Sequence, residues 1–375
     1  MRVSPLIPID MEVFIDGMTI PVDVYNTTGR SLILRKGRVM TPKIRERFYR
    51  HNEHGDGLLV TEESFQVLLD KKIVLLDATF IKDKERRKRA LQNTIKKNKL
   101  EKETGFAEIK DEVNQILSET EDRKVIRHDD TRDVSAEISN RLETVDSGLI
   151  IALINVLASV DEYLHRHSVN VSMLNGIIGK WLGFSKEDVD NLITVGLTHD
   201  CGKMLVPPQV LHAPRSLSRV EFELMKMHSI NSYTLLENFP EVVRLGARAH
   251  HEKYAGRGYG DGLSKEEIPL FARITAVSDI YDAMVSRRVY KEPRSPFQIM
   301  SQLKNLSGTE LDPLIVQTFI KNMPKELLGK SVQLSDGKTA VVNEIDHDDI
   351  EYPYVRIDKK TIKTDKTLYC TSMEL

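Results

Sequence analysis

The residues best suited to chemistry in this chain are histidines and aspartates between positions 165 and 279. Seven of the eleven histidines lie between His165 and His251. At the end of an apolar run, the adjacent pair His199 and Asp200 offers an imidazole nitrogen and a carboxylate oxygen, a donor set suited to iron, manganese or zinc. One such pair is weak evidence, because a helix-end histidine beside a capping or ion-paired aspartate has the same sequence. Whether the pair binds a metal therefore depends on further ligands elsewhere in the chain.

Further candidate ligands occur on both sides of the pair: His167, His228, His250, His251 and Asp279. Adjacent helix residues diverge by about 100°, so a metal cluster between helices readily explains the use of both His250 and His251. Asp279 interrupts an apolar helix face, and a buried carboxylate needs a cation or a strong hydrogen-bond donor. Five histidines and two aspartates suffice for two metal ions. His165 and His212 are interpreted as surface histidines.

Composition limits the possible functions. The 375 residues are 40% hydrophobic and 29% charged, as in ordinary soluble globular proteins, and 54 basic side chains nearly balance 56 acidic ones. This balance indicates neither a nucleic-acid polymer nor a membrane surface as partner. The two cysteines, Cys201 and Cys370, suit a reducing cytosol, with Cys201 interpreted as a small buried thiol. No signal peptide is evident and the longest apolar run, 149–158, cannot span a bilayer, so we expect a cytoplasmic protein.

Local patterns divide the chain into four parts. Residues 1–77 alternate short apolar runs with turns, which predicts a small β-rich input or packing domain with a helix near 42–51. Residues 78–135 predict a charged helical linker. Its basic run lacks interleaved aromatic residues, which favours a solvated helix over binding of nucleic acid or anionic lipid.

The remaining two parts are a helical domain and a second β segment. Residues 136–325 show apolar spacings of three and four residues and are predicted to form an all-α domain. Two helix starts there, Ser218 with Glu221 and Ser264 with Glu267, fit the spacing of a capping box. Alternation returns in residues 326–375, with Asp336–Gly337 as a hairpin turn, which predicts a small β appendage. The predicted fold class is therefore multidomain, with the metal ligands on the helical part.

The order and spacing of these motifs resemble an HD-GYP domain, a subclass of the HD metal-dependent phosphohydrolases. The similarity extends over residues 162–313. It includes His167–Asn170, His199–Lys203, Val206–Pro208, His228, His250–Lys253, Gly258–Tyr259 and Ala272–Ala283. The resemblance implies an all-α HD-type fold and hydrolysis of cyclic di-GMP, a bacterial second messenger, to pGpG and onward to GMP.

The resemblance also implies roles for individual residues. Asp200 would bridge two divalent metal ions, which the resemblance implies to be iron or manganese. The two sites would be completed by His167, His199 and Asp279 on one side and His228, His250 and His251 on the other. Two cations lower the pKa of a bridging water and neutralise a phosphodiester, so the attacking group would be a metal-bridged hydroxide. Lys203 would contact the phosphate or assist the leaving oxygen, its alternative being a surface lysine.

Substrate contacts are implied for a second set of residues. Arg288 resembles a family arginine near the bound phosphate. The further candidates are Gly258, Tyr259, Tyr290 and Lys291. Because the family's signature loop is associated with guanine handling and partner binding, loop 255–262 is also a candidate surface for signalling proteins. Whether two chains pair as a homodimer stays open.

The signature loop departs from the family pattern. Where the family has an acidic residue or Asn and later a proline, this chain has Ala255 and Gly260, which predicts a looser loop. Two alternatives to cyclic di-GMP hydrolysis follow: a catalytically weak cyclic-dinucleotide-binding or interaction module, and hydrolysis of a hybrid or linear dinucleotide. A glutamate that holds a third metal in some relatives is replaced here by Tyr163, so we predict two ions.

Overall fold

The computed structural model describes residues 126–374, except 158–162, 212, 214, 286–293 and 347, together with short stretches of the preceding chain. Those stretches are 6–9, 19–25, 32–41, 44, 58–61, 64, 105, 106, 108, 109, 111–113, 115 and 116. The chain divides into two compact units, Met1–Asn98 and Lys99–Leu375. The basic run of the predicted linker and nearly all of the helix predicted at 42–51 lie outside the described residues.

The first unit contains a small antiparallel sheet. Its strands are β1 (Leu6–Ile9), β2 (Val24–Tyr25), β3 (Leu32–Leu34) and β4 (Leu58–Thr61), in the order β1-β4-β2-β3. The side chains of Val24, Leu34 and Val60 are buried. The β-rich character predicted for this region is therefore confirmed, while its role as an input domain stays a prediction.

The second unit is built mainly of α-helices, as predicted. They are α1 (His128–Thr144), α2 (Ser147–Leu157), α3 (Tyr163–Trp181), α4 (Lys186–Thr198), α5 (Pro208–Leu211), α6 (Arg219–Leu235), α7 (Glu241–Ala249), α8 (Leu270–Val285), α9 (Pro296–Leu306) and α10 (Pro313–Leu327). Short 3₁₀ turns follow α4 at Cys201–Leu205 and precede α8 at Lys265–Glu267. The capping box predicted at Ser218 is present at the start of α6. Across the described part of the chain, no helix has the length and apolar character needed to cross a membrane.

Two glycines allow the helices around the site to approach closely. Gly196 on α4 faces α3, and a Cβ added there would lie 2.4 Å from the Cα of Ser172. Gly202, in the 3₁₀ turn after α4, faces α6, and a Cβ there would lie 2.0 Å from the carbonyl oxygen of His228. Real Cβ atoms cannot approach so closely, so these positions require glycine. The contacts hold the end of α4 between α3 and α6.

The chain ends in an antiparallel five-stranded sheet. Its strands are β5 (Ser331–Leu334), β6 (Thr339–Glu344), β7 (Tyr354–Ile357), β8 (Lys360–Lys363) and β9 (Cys370–Glu374), in the order β8-β7-β6-β5-β9. The predicted turn residue Gly337 joins β5 to β6 with φ 83°. Buried side chains of the sheet, such as Val332 and Val342, belong to the same apolar core as the helices. The proposed boundaries at 77, 135 and 325 stay predictions, and α1 extends across the second.

Candidate metal centre

One group of candidate ligands joins α3, the end of α4 and α8. The Nε2 atom of His167 lies 3.3 Å from Nε2 of His199 and 3.3 Å from Oδ1 of Asp279. His167 and His199 are buried, and Asp279 is 16% exposed. We call His167, His199 and Asp279 the first cluster. Their ligand atoms lie within 4.8 Å of one another, close enough to hold one ion.

A second group lies beside the first and includes Asp200. His228 comes from α6, while His250 and His251 directly follow α7. Nε2 of His228 lies 3.5 Å from Nε2 of His250, and one ligand atom from each of these residues and Asp200 lies within the same 4.8 Å limit. We call His228, His250 and His251 the second cluster. Both adjacent histidines of the predicted pair therefore face one site.

Asp200 lies between the two clusters. Its Oδ2 atom is 3.4 Å from Nε2 of His199 and 3.7 Å from Nε2 of His167. Its Oδ1 atom is 3.3 Å from Nε2 of His228 and 3.8 Å from Nε2 of His250. Each carboxylate oxygen thus faces a different cluster. This arrangement suits a carboxylate that bridges two ions.

Backbone carbonyls orient three of the imidazoles. The Nδ1 atoms of His199, His228 and His250 lie 2.7–2.9 Å from the carbonyl oxygens of the residues three positions earlier. A carbonyl can only accept, so each Nδ1 carries a proton and donates it, and each Nε2 presents a lone pair. In His167 the Nδ1 atom instead lies 2.7 Å from the carboxylate of Asp282. The ring orientations therefore favour metal binding through Nε2.

The chemistry of the donors fits cations. In the second cluster, the facing Nε2 atoms of His228 and His250 are both acceptors, so no hydrogen bond can form between them, whereas an ion could accept both lone pairs. Burial and neighbouring imidazoles hold the pKa of His250 well below its usual value. Burial also lowers the pKa of His251 to about 4. Both rings are therefore neutral at pH 7, as metal ligands must be.

Negative charge is concentrated in the first cluster and in Asp200. Although burial opposes ionisation, Lys203 and His199 hold the pKa of Asp200 well below its usual value. Burial also disfavours a charged His167, yet hydrogen bonds to Asp279 and Asp282 outweigh it and raise the pKa of His167 to about 10. The surroundings of His167 thus favour positive charge, and a proton and a metal ion would compete for its Nε2 atom.

Lys203 lies in the 3₁₀ turn that follows the His-Asp pair. Its Nζ atom lies 2.5 Å from Oδ2 of Asp200, and its side chain is 26% exposed. Lys203 therefore faces Asp200 while remaining partly exposed, and its role stays a prediction. The neighbouring Cys201 is buried, as predicted, and burial raises the pKa of its thiol to about 12.

The signature loop lies against the second cluster. A Cβ on Gly258 would lie 2.4 Å from backbone atoms of Glu252 and Lys253, so only glycine fits there. This close approach places the ring of Tyr259 on the imidazole of His251, with 4.7 Å between ring centroids and 32° between planes. Tyr259 therefore forms one wall of the second cluster.

The prediction of a looser loop is not matched by the structure. A buried Glu252 carboxylate oxygen accepts hydrogen bonds from the backbone N–H groups of Asp261 and Gly262, at 2.6 and 2.7 Å. Arg248 donates two hydrogen bonds to the carboxylate of Asp261. Gly260 has φ 131°, which proline cannot adopt. Side chains thus restrain a loop whose backbone excludes the family's proline.

The sequence did not single out three residues that support the centre: Asp282, Asn170 and Glu252. Asp282 could have been found because it follows Asp279 by three residues and so shares its helix face. No comparable signal marks Glu252, whose contacts are with a loop that begins several residues later. Among the predicted substrate contacts, Arg288, Tyr290 and Lys291 lie outside the described residues, as do His212 and the side chains of Tyr163 and His165.

The helical unit thus brings together two His/Asp clusters on either side of one aspartate, Asp200. Residues 152–315 match the family model described as HD domain. This segment is a little under half of the chain, and its similarity to HD domains agrees with the resemblance found in the sequence.

Curated relatives share this region. The chain is 36% identical over 184 residues to a cyclic di-GMP phosphodiesterase of Thermotoga maritima, covering 48% of this chain and 50% of that protein. It is 34% identical over 198 residues to the cyclic di-GMP phosphodiesterase PA4108 of Pseudomonas aeruginosa, covering 52% of this chain and 47% of that protein. It is 32% identical over 177 residues to 3'3'-cGAMP-specific phosphodiesterase 1 of Vibrio cholerae, covering 46% of this chain and 41% of that protein. The chain thus spans about half the length of the first two relatives, 50% and 47% respectively.

Proposed function

We propose that this protein is a metal-dependent phosphodiesterase that hydrolyses cyclic di-GMP to pGpG, to GMP or to both. The observation that carries the proposal is the position of Asp200, with one carboxylate oxygen toward each histidine cluster. The activity named for the relatives in Thermotoga maritima and Pseudomonas aeruginosa supports the choice of substrate.

The proposed cofactors are two divalent ions, iron or manganese. His167, His199 and Asp279 would hold one ion, His228, His250 and His251 the other, and Asp200 would bridge them. Mixed imidazole and carboxylate donors suit these metals. When bound, the two ions would neutralise the charge of the phosphodiester and activate a water molecule.

The protein side chains would orient the substrate and handle protons. Lys203, whose ammonium group already contacts Asp200, would donate a hydrogen bond to the phosphate or a proton to the leaving oxygen. Tyr259, held against His251, would offer a flat face for a guanine base. Gly258 allows that close approach. Arg288, Tyr290 and Lys291 are proposed as further phosphate contacts, on the basis of the family resemblance alone.

The rest of the chain would regulate or present this centre. We propose residues 1–77 as an input domain, 78–135 as a charged linker, 136–325 as the catalytic domain and 326–375 as a β appendage. Loop 255–262 would also be available to signalling partners, and pairing of two chains is compatible with the long linker. These assignments extend the cytoplasmic signalling role predicted from the sequence.

Product analysis with full-length protein tests the proposal. The chain is purified without oxygen, its metal content is measured, and it is incubated with cyclic di-GMP, 3'3'-cGAMP and pGpG in the presence of Mn²⁺ or Fe²⁺. We expect cyclic di-GMP to be converted to pGpG or GMP. Faster conversion of cGAMP would instead assign the hybrid nucleotide as substrate. Tight binding of either cyclic dinucleotide without turnover, in metal-loaded protein, would reject catalysis in favour of a binding module.

A further inference from the structure

The two histidine clusters differ in the charge of their surroundings. The first cluster contains its own carboxylate, Asp279, and a second carboxylate, Asp282, supports His167 from behind. The second cluster consists of three imidazoles, and the Nδ1 atoms of His228 and His250 donate to neutral carbonyl oxygens. The Asp200 carboxylate is common to both. The first cluster therefore has two more carboxylates in or behind it than the second.

Asp282 is held rigidly in this position. It is fully buried on α8, and its Oδ2 atom lies 2.7 Å from Nδ1 of His167. Its Oδ1 atom accepts a hydrogen bond of 2.7 Å from Nδ2 of Asn170, which lies one turn along α3 from His167. A carboxylate that accepts the second N–H of a ligating histidine fixes the ring and raises its basicity, and loss of such a partner weakens metal binding about 10- to 100-fold.

Lys203 does not remove this difference. Its ammonium group contacts Oδ2 of Asp200, the oxygen that faces the first cluster, and so offsets part of the charge of that one carboxylate. The charges of Asp279 and Asp282 remain. Exposure does not distinguish the clusters, because each has one partly buried member, Asp279 in the first and His251 in the second.

We propose that the two metal sites have unequal affinity: the first cluster binds its ion more tightly and fills first, and Asp282 is the positioning residue responsible for much of the difference. The second cluster then fills last and loses its ion first. This inference rests on the proposed two-metal function and concerns metal binding alone.

Titration of metal-free, full-length protein with Mn²⁺ tests the inference without substrate. Mn²⁺ is suitable because it prefers carboxylate donors, and free and bound ions are counted by electron paramagnetic resonance alongside calorimetry. We expect two steps, with the first ion bound at least about tenfold more tightly than the second. Two equal steps, or one step only, would overturn the proposal.

Two substitutions test which cluster accounts for each binding step. Asp282→Asn removes the charge but keeps the shape, and Oδ1 of Asn170, which has no hydrogen-bond partner among the described residues, can accept from the new amide if the Asn170 side chain rotates. We expect this variant to weaken the first step about 10- to 100-fold and to leave the second unchanged. His251→Gln should weaken the second step alone. Either variant affecting the opposite step would contradict the assignment.

A matched control is available on the same helix. Tyr281 is next to Asp282 in sequence but outside the centre. Tyr281→Phe removes the hydrogen bonds between its hydroxyl group and Asn155 and should leave both binding steps unchanged. If Tyr281→Phe weakened the first binding step as much as Asp282→Asn does, general destabilisation of the helix would explain both results. The positioning role of Asp282 would then be rejected. Hydrolysis is measured separately. Unequal binding without turnover would reject the proposed function only, and turnover with two equal steps would reject this inference only.

Discussion

At the scale of single residues, the proposed chemistry depends on Asp200. Its two oxygens face different clusters, and its side chain is 8% exposed. Lys203 contacts this carboxylate, and three of the histidines around it, His199, His228 and His250, present Nε2 lone pairs. Removing this carboxylate should therefore affect both proposed metal sites together, which no other ligand substitution would do.

Asp200→Ala tests the bridging role. We expect loss of both metal ions and of phosphodiesterase activity, because each proposed site would lose its shared anionic ligand. Metal content is measured by elemental analysis after dialysis, with folding checked by circular dichroism. Glu187→Ala, which removes an exposed carboxylate from the same helix α4, is the control and should keep both ions. Two ions retained in Asp200→Ala would contradict the bridging role.

Lys203→Ala separates catalysis from metal binding. Lys203 is not a candidate metal ligand, so we expect unchanged metal content, whereas turnover should fall about 10²- to 10⁴-fold through loss of a group that donates a proton. Steady-state kinetics with cyclic di-GMP measure the effect. The exposed Lys304 on α9 provides the control Lys304→Ala, expected to have normal kinetics. A normal rate in Lys203→Ala would remove the lysine from the mechanism.

At the scale of elements, the loop after α7 shows how this chain differs from the HD-GYP domains that it resembles. Gly260 stands where the family has proline, but its φ of 131° belongs to a conformation that proline cannot adopt. Restraint comes instead from the buried carboxylate of Glu252 and the ion pair between Arg248 and Asp261. A substitution toward the family sequence should consequently harm the loop.

Gly260→Pro is therefore expected to weaken substrate binding rather than improve it. Proline would force φ to about −65° and displace Tyr259 from His251, which should raise KM and lower stability by more than about 1 kcal/mol. Kinetics and urea unfolding measure the two effects. Ala255→Asp, which restores the other family residue at an exposed position without a backbone constraint, is the control. A Gly260→Pro protein with unchanged KM and stability would show that the loop backbone is not restrained as described.

At the scale of the whole molecule, the metal centre joins elements that are distant in sequence. Its candidate ligands come from α3, the end of α4, α6, the residues after α7, and α8. Bound ions would therefore connect five parts of the helical unit. Without them, the link between these parts would depend on side-chain contacts such as those of His167 with Asp279 and Asp282.

Metal removal should consequently destabilise the helical unit. A ligand at one hundred times its dissociation constant stabilises the folded state by about 2.7 kcal/mol per site, so removing both ions should lower the unfolding temperature by about 10–20 °C. Thermal unfolding followed at the helix signal of circular dichroism, with and without chelator, measures the change. Addition of excess Mn²⁺ should restore the original temperature. Equal unfolding temperatures in both conditions would show that the ions do not link these helices.

The amino-acid sequence by itself determined the identity of the candidate ligands, because metal chemistry restricts donors to a few residue types and the helical pattern restricts where they can lie. It also determined the helical and β-rich character of the regions that the structure describes. Only the tertiary structure decided which oxygen of Asp200 faces which cluster, that Asp282 supports His167, and that Glu252 and Arg248 restrain the loop at Gly260. These features depend on the packing of helices that are far apart in the chain, and on backbone angles that residue types alone do not specify.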